Sequence, residues 1–157
     1  MAESFKSYDI RGIYPQEIDE TFAYNLGRAI VVALKSNKIV VGRDCRLSSP
    51  ALTKSLIYGI TDQGADVVDI GLTSTPVCFF EAEKQDVVMV SASHNPPEYN
   101  GFKITQKGVI KLGKETGLKK IEDIYRADEF PDVDKKGSVV EKDAVKSYVE
   151  KIRSIVK

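Results

Sequence analysis

Apolar and polar residues follow two kinds of pattern along the first 113 positions of the chain. Longer segments carry apolar residues three or four positions apart, which predicts helices with one buried face. Shorter runs of consecutive apolar residues predict buried strands. The predicted helices are 18–35, a helix capped by Ser48 or Ser49 that runs to Asp62, and 75–83, and the predicted strands are 38–42, 66–71, 86–90 and 101–105.

The order of these elements predicts how the strands pair. The first three strands are joined by helices, so we expect them to run parallel. Strand 101–105 follows strand 86–90 too closely for a helical crossover, and we expect it to run antiparallel to that strand. The sequence therefore predicts an α/β fold with three α/β/α layers and a mixed, mostly parallel sheet that contains one antiparallel strand.

The pattern changes after Gly113. Residues 115–127 predict a charged helix at the periphery, and residues 130–137 are rich in Asp, Lys and Pro, as linkers often are. From Asp143 onwards, apolar residues again recur at helical spacing, on a face without a predicted partner. We expect residues 1–137 to form one domain and residues 138–157 to be a linker and the first helix of a truncated second domain. Through that face, copies of the chain could also self-associate.

Composition narrows the possible function classes. The 157 residues include 23 basic and 23 acidic side chains, so the formal net charge is zero, which argues against nucleic acid as the main partner. No apolar run reaches the roughly 20 residues that a membrane helix needs. No secretion signal is visible, and Cys45 and Cys78 form no C-x-x-C pair. We therefore expect reduced thiols and a cytoplasmic protein with no membrane partner.

The segment 91–100 is the strongest candidate for chemistry. It follows the carboxyl end of a predicted strand, where open α/β sheets place functional loops, and Pro96 and Pro97 stiffen it. Such a loop could position Ser93 as a nucleophile, and a rigid turn without chemistry fits the composition equally well. A serine hydrolase is disfavoured because its nucleophile elbow has glycine two residues to either side. His94, the only histidine, adjoins Ser93 and is a poor general base for it, but we still expect it at the site.

Four segments in chain order carry a resemblance to a known family. The last contains Ser-His-Asn-Pro followed by Asn-Gly-Phe-Lys, and together the segments are similar to the motifs of the α-D-phosphohexomutases, the phosphoglucomutase/phosphomannomutase family. The match covers essentially all of the chain up to the predicted linker. The segments are YDIRG at 8–12, VGRDCRLSS at 41–49, DIGLTSTP at 69–76 and SASHNPPEYNGFK at 91–103.

The resemblance implies an activity and roles for particular residues. Family members interconvert hexose 1-phosphates and 6-phosphates through a phosphoserine and a bisphosphorylated sugar, and Ser93 matches that serine. Lys103 matches a lysine that acts as a general base or a phosphate-stabilising cation, and Arg11 matches an arginine near the phosphoserine. The remaining residues that the resemblance places at the site are His94, as a catalytic residue, and Tyr8, Asn95 and Arg43, as substrate- or phosphate-binding residues.

Each of three basic residues also has a purely structural interpretation. Lys103 could be a solvated lysine on a strand, which is the usual fate of lysine. Arg11 could form an ion pair with Asp9. Arg43 could form one with Asp44, and for Arg43 this alternative is at least as strong as a phosphate contact.

The resemblance also implies groups that this chain does not supply. The family uses Mg²⁺, and here only the phosphate on Ser93 would contact it, because the metal, sugar and distal phosphate loops have no counterpart. We therefore expect hexose phosphates as substrates, a hexose bisphosphate as activator, the remaining domains of the same polypeptide as partners, and no turnover by this chain alone. The alternatives are a sugar-phosphate-binding module without catalysis, and an interaction domain that uses the charged stretch 111–136. The preferred hexose stays open.

Overall fold

The computed structural model describes residues 4–156, which form a sheet with helices on both of its faces. The strands are β1 (Ile10–Ile13), β2 (Lys38–Arg43), β3 (Asp66–Leu72), β4 (Asp86–Val90), β5 (Tyr99–Gln106), β6 (Ile110–Lys111) and β7 (Val139–Glu141). The helices are α1 (Glu20–Leu34), α2 (Ser49–Asp62), α3 (Thr75–Ala82), α4 (Leu118–Ala127) and α5 (Ala144–Ile155), and a 3₁₀ turn covers Lys114–Thr116.

The described strands lie in the order β1-β5-β4-β2-β3-β7, with β6 added to β5. The pairs β4–β2, β2–β3 and β3–β7 are parallel. Strand β5 is antiparallel to each of its neighbours, β1, β4 and β6. It is therefore the one described strand that runs against the rest. This confirms the predicted fold class, including the antiparallel pairing of the strands on either side of the Ser93 loop.

Alternation along the strands divides the apolar residues between the two faces of the sheet. In β4, Val88 and Val90 join the larger buried cluster, which α1, α2 and α4 cover. Val87 and Met89 join a smaller cluster with residues of α3 and α5. We call these two sides the α1 face and the α3 face.

Helix α1 begins and ends where the sequence provides the required groups. The carboxylate of Asp19 accepts a hydrogen bond from the backbone N–H of Phe22 at 2.7 Å, which caps the first turn. The helix ends at Lys35, which adopts the left-handed conformation. Helices α1 and α2 pack closely at Gly59, where a Cβ atom would lie only 1.9 Å from the carbonyl oxygen of Tyr24.

The predicted cap of α2 is wrong in its mechanism. Ser48 occupies the N-cap position, but its side chain makes no capping hydrogen bond, since its backbone is already helical. Its hydroxyl instead accepts a hydrogen bond from the buried side chain of Asn100 at 2.8 Å. The serine thus connects the start of α2 to β5.

Strand β7 lies in a segment that the sequence predicts to be linker. It pairs in parallel with β3 and widens the sheet. Its valines are exposed, and the apolar pattern of the sequence does not predict this strand. The side chain of Lys142 then contacts both carboxylate oxygens of the buried Glu81 on α3, at 2.6 and 2.7 Å. The domain boundary at 137 and self-association through the exposed apolar residues of α5 stay predictions. None of the helices within residues 4–156 is both long and apolar enough to cross a membrane.

Candidate active site

Ser93 lies on the loop that leaves the carboxyl end of β4. Ser91 and Ala92 are still buried, whereas Ser93 is exposed. Its φ angle is 59°, in the left-handed region that non-glycine residues rarely adopt. The hydroxyl of Ser91 accepts a hydrogen bond from the Ser93 backbone N–H at 2.9 Å. Buried residues on the strand side therefore hold a serine that projects into solvent.

A cavity of about 470 Å³ adjoins Ser93 on the α3 face. The alternation that buries Ile10 and Phe102 in the α1 face sends the side chains of Arg11 and Lys103 to this side. The cavity thus has a polar floor on the sheet and a wall from α3. Its lining includes Tyr8, Asp9, Arg11, Phe79, Ser93 and Lys103.

Asp9 joins two of the cations that line this cavity, Arg11 and Lys103. Its Oδ2 atom accepts from Arg11 Nε at 2.7 Å and lies 2.7 Å from Arg11 Nη2. The same oxygen accepts from Lys103 Nζ at 3.0 Å. Burial raises the pKa of Asp9, but the hydrogen bonds from Arg11 and Lys103 outweigh burial and hold its pKa below the usual value. An ionised Asp9 thus orients two positive groups, and these three side chains together carry one positive charge in excess.

Arg11 also reaches the Ser93 loop directly. Its Nη1 atom donates a hydrogen bond to Oδ1 of Asn95 at 2.6 Å. This contact joins β1 to the loop across 84 positions of sequence. Arg11 thus connects Asp9, which lines the cavity, with Asn95, two positions after Ser93.

Asn100 and Gly101, at the start of β5, are tightly packed beside the loop. Asn100 is fully buried, and its side-chain carbonyl accepts from the backbone N–H of Gly101 at 2.8 Å. At Gly101, a Cβ atom would lie 2.2 Å from the carbonyl oxygen of Ile10. The Asn-Gly pair in the motif therefore has a packing reason, since it lets β1 and β5 approach each other beside the cavity.

The structure brings together most, but not all, of the residues that the sequence predicts for the site. Ser93, Lys103, Arg11 and the exposed Tyr8 line one cavity, and Asn95 contacts Arg11. The ion pair of Arg11 with Asp9, the structural alternative for that arginine, is formed as well.

His94 and Arg43 are not brought to this cavity. His94 is exposed, and its side chain makes no hydrogen bond to another residue of the described range 4–156. Arg43 lines a different cavity, with Asp69 and Glu141 at the β3–β7 edge. Its alternative, a pair with the Asp44 carboxylate, is also not formed, because only the Asp44 carbonyl lies near, at 3.5 Å.

Sequence reasoning missed three residues near Ser93. The sequence suggests Asp9 only as a partner of Arg11, whereas its carboxylate also binds Lys103. The sequence places Lys111 in a charged stretch, but it lines the Ser93 cavity, with its ammonium group 4.7 Å from the centre of the Phe79 ring. Arg46 donates to backbone carbonyls of the Ser93 loop. Its position inside one of the four motifs was the available signal.

The described residues do not form a metal site by themselves. Within 4–156, no three or more His, Cys, Asp or Glu side chains are grouped so that they could hold a metal ion. Mg²⁺ prefers octahedral coordination by oxygen ligands. Ser93 offers one oxygen, and Asp9 is already occupied by two cations, so these residues alone do not complete the coordination of Mg²⁺.

Comparison with known proteins shows the family of the chain. Residues 2–132 match the family description "Phosphoglucomutase/phosphomannomutase, alpha/beta/alpha domain I". A phosphomannomutase of Klebsiella pneumoniae is 40% identical over an alignment of 151 positions, which covers 93% of this chain and 96% of that protein. A phosphomannomutase of Escherichia coli is 40% identical over an alignment of 157 positions, which covers 97% of this chain and 34% of that protein. This chain therefore spans about a third of the length of the E. coli relative.

Two further relatives extend the comparison. A phosphoglucomutase of Neisseria gonorrhoeae is 39% identical over 98% of this chain and 34% of its own length. The solved structure of a phosphoglucomutase/phosphomannomutase family protein from Burkholderia thailandensis superimposes with a TM-score of 0.88 at 34% identity, over 98% of this chain and 36% of that one. The chain belongs to the phosphoglucomutase/phosphomannomutase family, and residues 2–132, which include Ser93 at the end of β4, match domain I of that family.

Proposed function

We propose that this chain is the phosphoserine domain of a phosphohexomutase that interconverts hexose 1-phosphate and hexose 6-phosphate. One observation carries the proposal: the exposed Ser93 lines the same cavity as Arg11 and Lys103, the two cations joined by Asp9. A phosphoryl group on Ser93 would meet positive charge that is already oriented before the sugar arrives. Preorganised charge of this kind is usually the largest single contribution to catalysis.

In the proposed reaction, phosphoserine 93 gives its phosphoryl group to a free hydroxyl of a hexose monophosphate. The bond between phosphorus and the sugar oxygen forms, and the bond between phosphorus and Ser93 Oγ breaks. The proton of the sugar hydroxyl passes to Ser93 Oγ, which becomes a hydroxyl again. The resulting bisphosphate then returns its other phosphoryl group to Ser93 by the reverse steps. The net result moves a phosphoryl group between the two ends of the sugar and leaves the serine phosphorylated.

Arg11 and Lys103 have complementary parts in this scheme. The planar Arg11 group bridges Asp9 and Asn95, so we propose that it fixes the cavity wall and contacts phosphoryl oxygens through its remaining N–H groups. Lys103 is an ammonium donor that makes one hydrogen bond, to Asp9. We propose that it follows the phosphoryl oxygens as charge moves between Ser93 and the sugar, rather than acting as the proton acceptor.

The complete reaction requires groups beyond the described residues. We propose that the phosphate on Ser93 is the one ligand that this chain contributes to Mg²⁺, which would neutralise phosphoryl charge when bound. A hexose bisphosphate would restore phosphoserine after its loss. We further propose that the remaining domains of the same polypeptide bind the sugar and its distal phosphate, and that the enzyme acts in the cytoplasm, where its free thiols, Cys45 and Cys78, would stay reduced.

A sugar-phosphate-binding module without catalysis is the second candidate. Within residues 4–156, no three or more His, Cys, Asp or Glu side chains are grouped to hold a metal ion, which favours this candidate for the chain in isolation. The two candidates differ in covalent chemistry, because a binding module would hold a phosphorylated sugar in the cation-lined cavity without modifying Ser93.

The proposal is tested by mixing the chain with glucose 1,6-bisphosphate or mannose 1,6-bisphosphate and Mg²⁺. We expect release of hexose monophosphate up to one equivalent per chain, and none with Ser93→Ala. Ser154→Ala, which removes an exposed hydroxyl on α5, is the matched control and should release as much as the unaltered chain. Equal release from Ser93→Ala, or binding of the bisphosphate without release, would contradict the phosphoserine assignment.

A coupled assay for glucose 6-phosphate formation from glucose 1-phosphate tests the completeness of the site. We expect this chain alone to show no measurable turnover, because loss of substrate positioning alone can cost about 7–11 kcal/mol of barrier lowering. Sustained turnover would show that the chain holds sugar-binding and metal-binding groups that the cavity beside Ser93 does not reveal.

A further inference from the structure

Arg46 is the point at which the Ser93 loop is attached to the rest of the protein. Its Nη2 atom donates hydrogen bonds to the carbonyl oxygens of Ser93 at 2.9 Å and Asn95 at 2.8 Å. Its Nη1 atom donates to the carbonyl oxygens of Pro96 at 2.7 Å and Tyr99 at 2.9 Å. Four carbonyl groups of one loop therefore converge on a single guanidinium group, whose rigid fork suits several acceptors at once.

The guanidinium group is itself held in place from the opposite side. Its Nε atom donates to Oδ2 of Asp44 at 3.1 Å, and the backbone N–H of Arg46 donates to Oδ1 of Asp44 at 3.1 Å. The same Oδ1 accepts from the hydroxyl of Ser49, at the start of α2, at 2.6 Å. Only 11% of the Arg46 side chain is exposed, so these charge-assisted bonds are partly shielded from water.

The contact with Ser93 acts on its backbone and leaves its side chain free. Ser93 adopts the left-handed conformation, which surrounding structure must enforce in a residue with a Cβ atom. Arg46 binds its carbonyl oxygen, and the hydroxyl of Ser91 binds its N–H group. The peptide groups on both sides of the Ser93 Cα are therefore fixed, while the Ser93 hydroxyl stays open to the cavity.

We propose that Arg46 is a positioning residue, which holds the loop in the conformation that presents the Ser93 hydroxyl for phosphoryl transfer. The part that concerns transfer rests on the proposed function. Arg46 touches neither the cavity nor the hydroxyl, so its effect passes through the loop backbone. This distinguishes it from Arg11 and Lys103, which line the cavity itself.

Hydrogen exchange measured for the loop amides tests whether Arg46 holds the loop. We expect Arg46→Ala to speed exchange across 91–100 by about tenfold or more, since four hydrogen bonds to a charged group are lost. Amides of β2 and α1 should exchange at unaltered rates. Arg153→Ala removes an exposed arginine on α5 and should change neither region. Arg46→Lys keeps the charge but not the forked guanidinium group, so its loop exchange rates should lie between those of Arg46→Ala and of the unaltered chain. This variant replaces Arg46→Ala in the test if the alanine variant does not fold.

The rate of transfer from glucose 1,6-bisphosphate to Ser93 tests the consequence for chemistry. We expect Arg46→Ala to slow the maximal rate by about 10²-fold, with little change in the bisphosphate concentration at half-maximal rate, because orientation and not binding is lost. Added ethylguanidinium should restore part of that rate in Arg46→Ala and none in Lys103→Ala. A role in stability alone would not produce such rescue.

The outcomes separate this proposal from the proposed function. Unaltered loop exchange in Arg46→Ala would overturn the positioning role, and so would faster loop exchange with an unaltered rate of transfer. If the unaltered chain accepts no phosphoryl group, the proposed function fails, and the exchange rates still decide whether Arg46 holds the loop. Faster loop exchange together with slower, rescuable transfer supports both.

Discussion

The two faces of the sheet are built differently, and the difference separates stability from chemistry. On the α1 face, α1, α2 and α4 cover a large continuous core in which residues such as Leu26 and Phe102 are fully buried. On the α3 face, α3 and α5 cover a smaller cluster around Val77 and Met89. The uncovered part of that face holds the cavity beside Ser93. One face can thus remain closely packed while the other keeps charged side chains accessible.

The alternation of side chains makes this division possible within single strands. In β5, Phe102 and Ile104 point into the large core, and Lys103 between them contacts Asp9 at the cavity. In β1, Ile10 is buried and Arg11 next to it reaches the Ser93 loop. The apolar residues therefore fix the register that places the cations.

Removal of Lys103 should show most clearly that the α3 face carries the chemistry and the α1 face the stability. We expect Lys103→Ala to slow transfer to Ser93 by about 10²- to 10³-fold, as loss of a preorganised charge does. The free energy of unfolding should fall by no more than about 1 kcal/mol, because the α1 face is untouched and Arg11 still pairs with Asp9. Rapid-quench measurements with glucose 1,6-bisphosphate and urea denaturation check the two halves. Lys107→Ala, an exposed lysine after β5, is the control, and an equal loss of rate in that variant would refute a specific role.

Neighbouring valines of β4 test the asymmetry in packing. Val88 faces the larger cluster and Val87 the smaller one, and both are buried. We expect Val88→Ala to lower the free energy of unfolding by about 3 kcal/mol and Val87→Ala by about 1.5 kcal/mol, because a thinner layer can relax around the lost methyl groups. Urea denaturation of both variants measures the difference. A larger cost at Val87 would mean that the α3 face carries the stability.

Much of this division is readable in the sequence. The apolar runs predict β2 to β5 in nearly their observed bounds, and the short connection after β4 predicts the antiparallel pairing. The motifs predict Ser93, Lys103 and Arg11 at one cavity. The contacts of Arg46 could not be predicted, because they join residues about 50 positions apart and have carbonyl oxygens as acceptors, which carry no residue-type signal. Strand β7 was missed because its exposed valines follow no burial pattern.

The low pKa of Asp9 makes a small part of the stability depend on pH. The depressed pKa of its folded-state carboxyl means that its contribution is fully present above about pH 5 and is lost as pH falls through the folded-state pKa. We expect the difference in unfolding free energy between the unaltered chain and Asp9→Asn to be constant above that pH and to shrink below it. Denaturation at a series of pH values checks this. A difference that grows on acidification would contradict the charge assignment.

The two cysteines differ in exposure, which allows the accessibility of the site and of the core to be compared through the reactivity of their thiols. Cys45 is exposed beside the Ser93 loop, and Cys78 is buried on the α3 face. Burial, and then the nearby Glu81, raise the pKa of Cys78 to about 12. At pH 8, an aromatic disulfide reagent should modify Cys45 rapidly and Cys78 only after unfolding. Two equally fast phases in the folded protein would show that the smaller cluster opens readily.

Locating the phosphoryl group tests the central claim most directly. After exposure to glucose 1,6-bisphosphate and Mg²⁺, the peptide containing 91–103 would be fragmented by mass spectrometry so that Ser91 and Ser93 are separated. We predict phosphate on Ser93 alone, because its hydroxyl is exposed at the cavity. Ser91 is buried, and its hydroxyl oxygen accepts a hydrogen bond from the Ser93 N–H group. Phosphate on Ser91, or on a serine outside the loop, would contradict the assignment of Ser93 as the phosphoryl carrier.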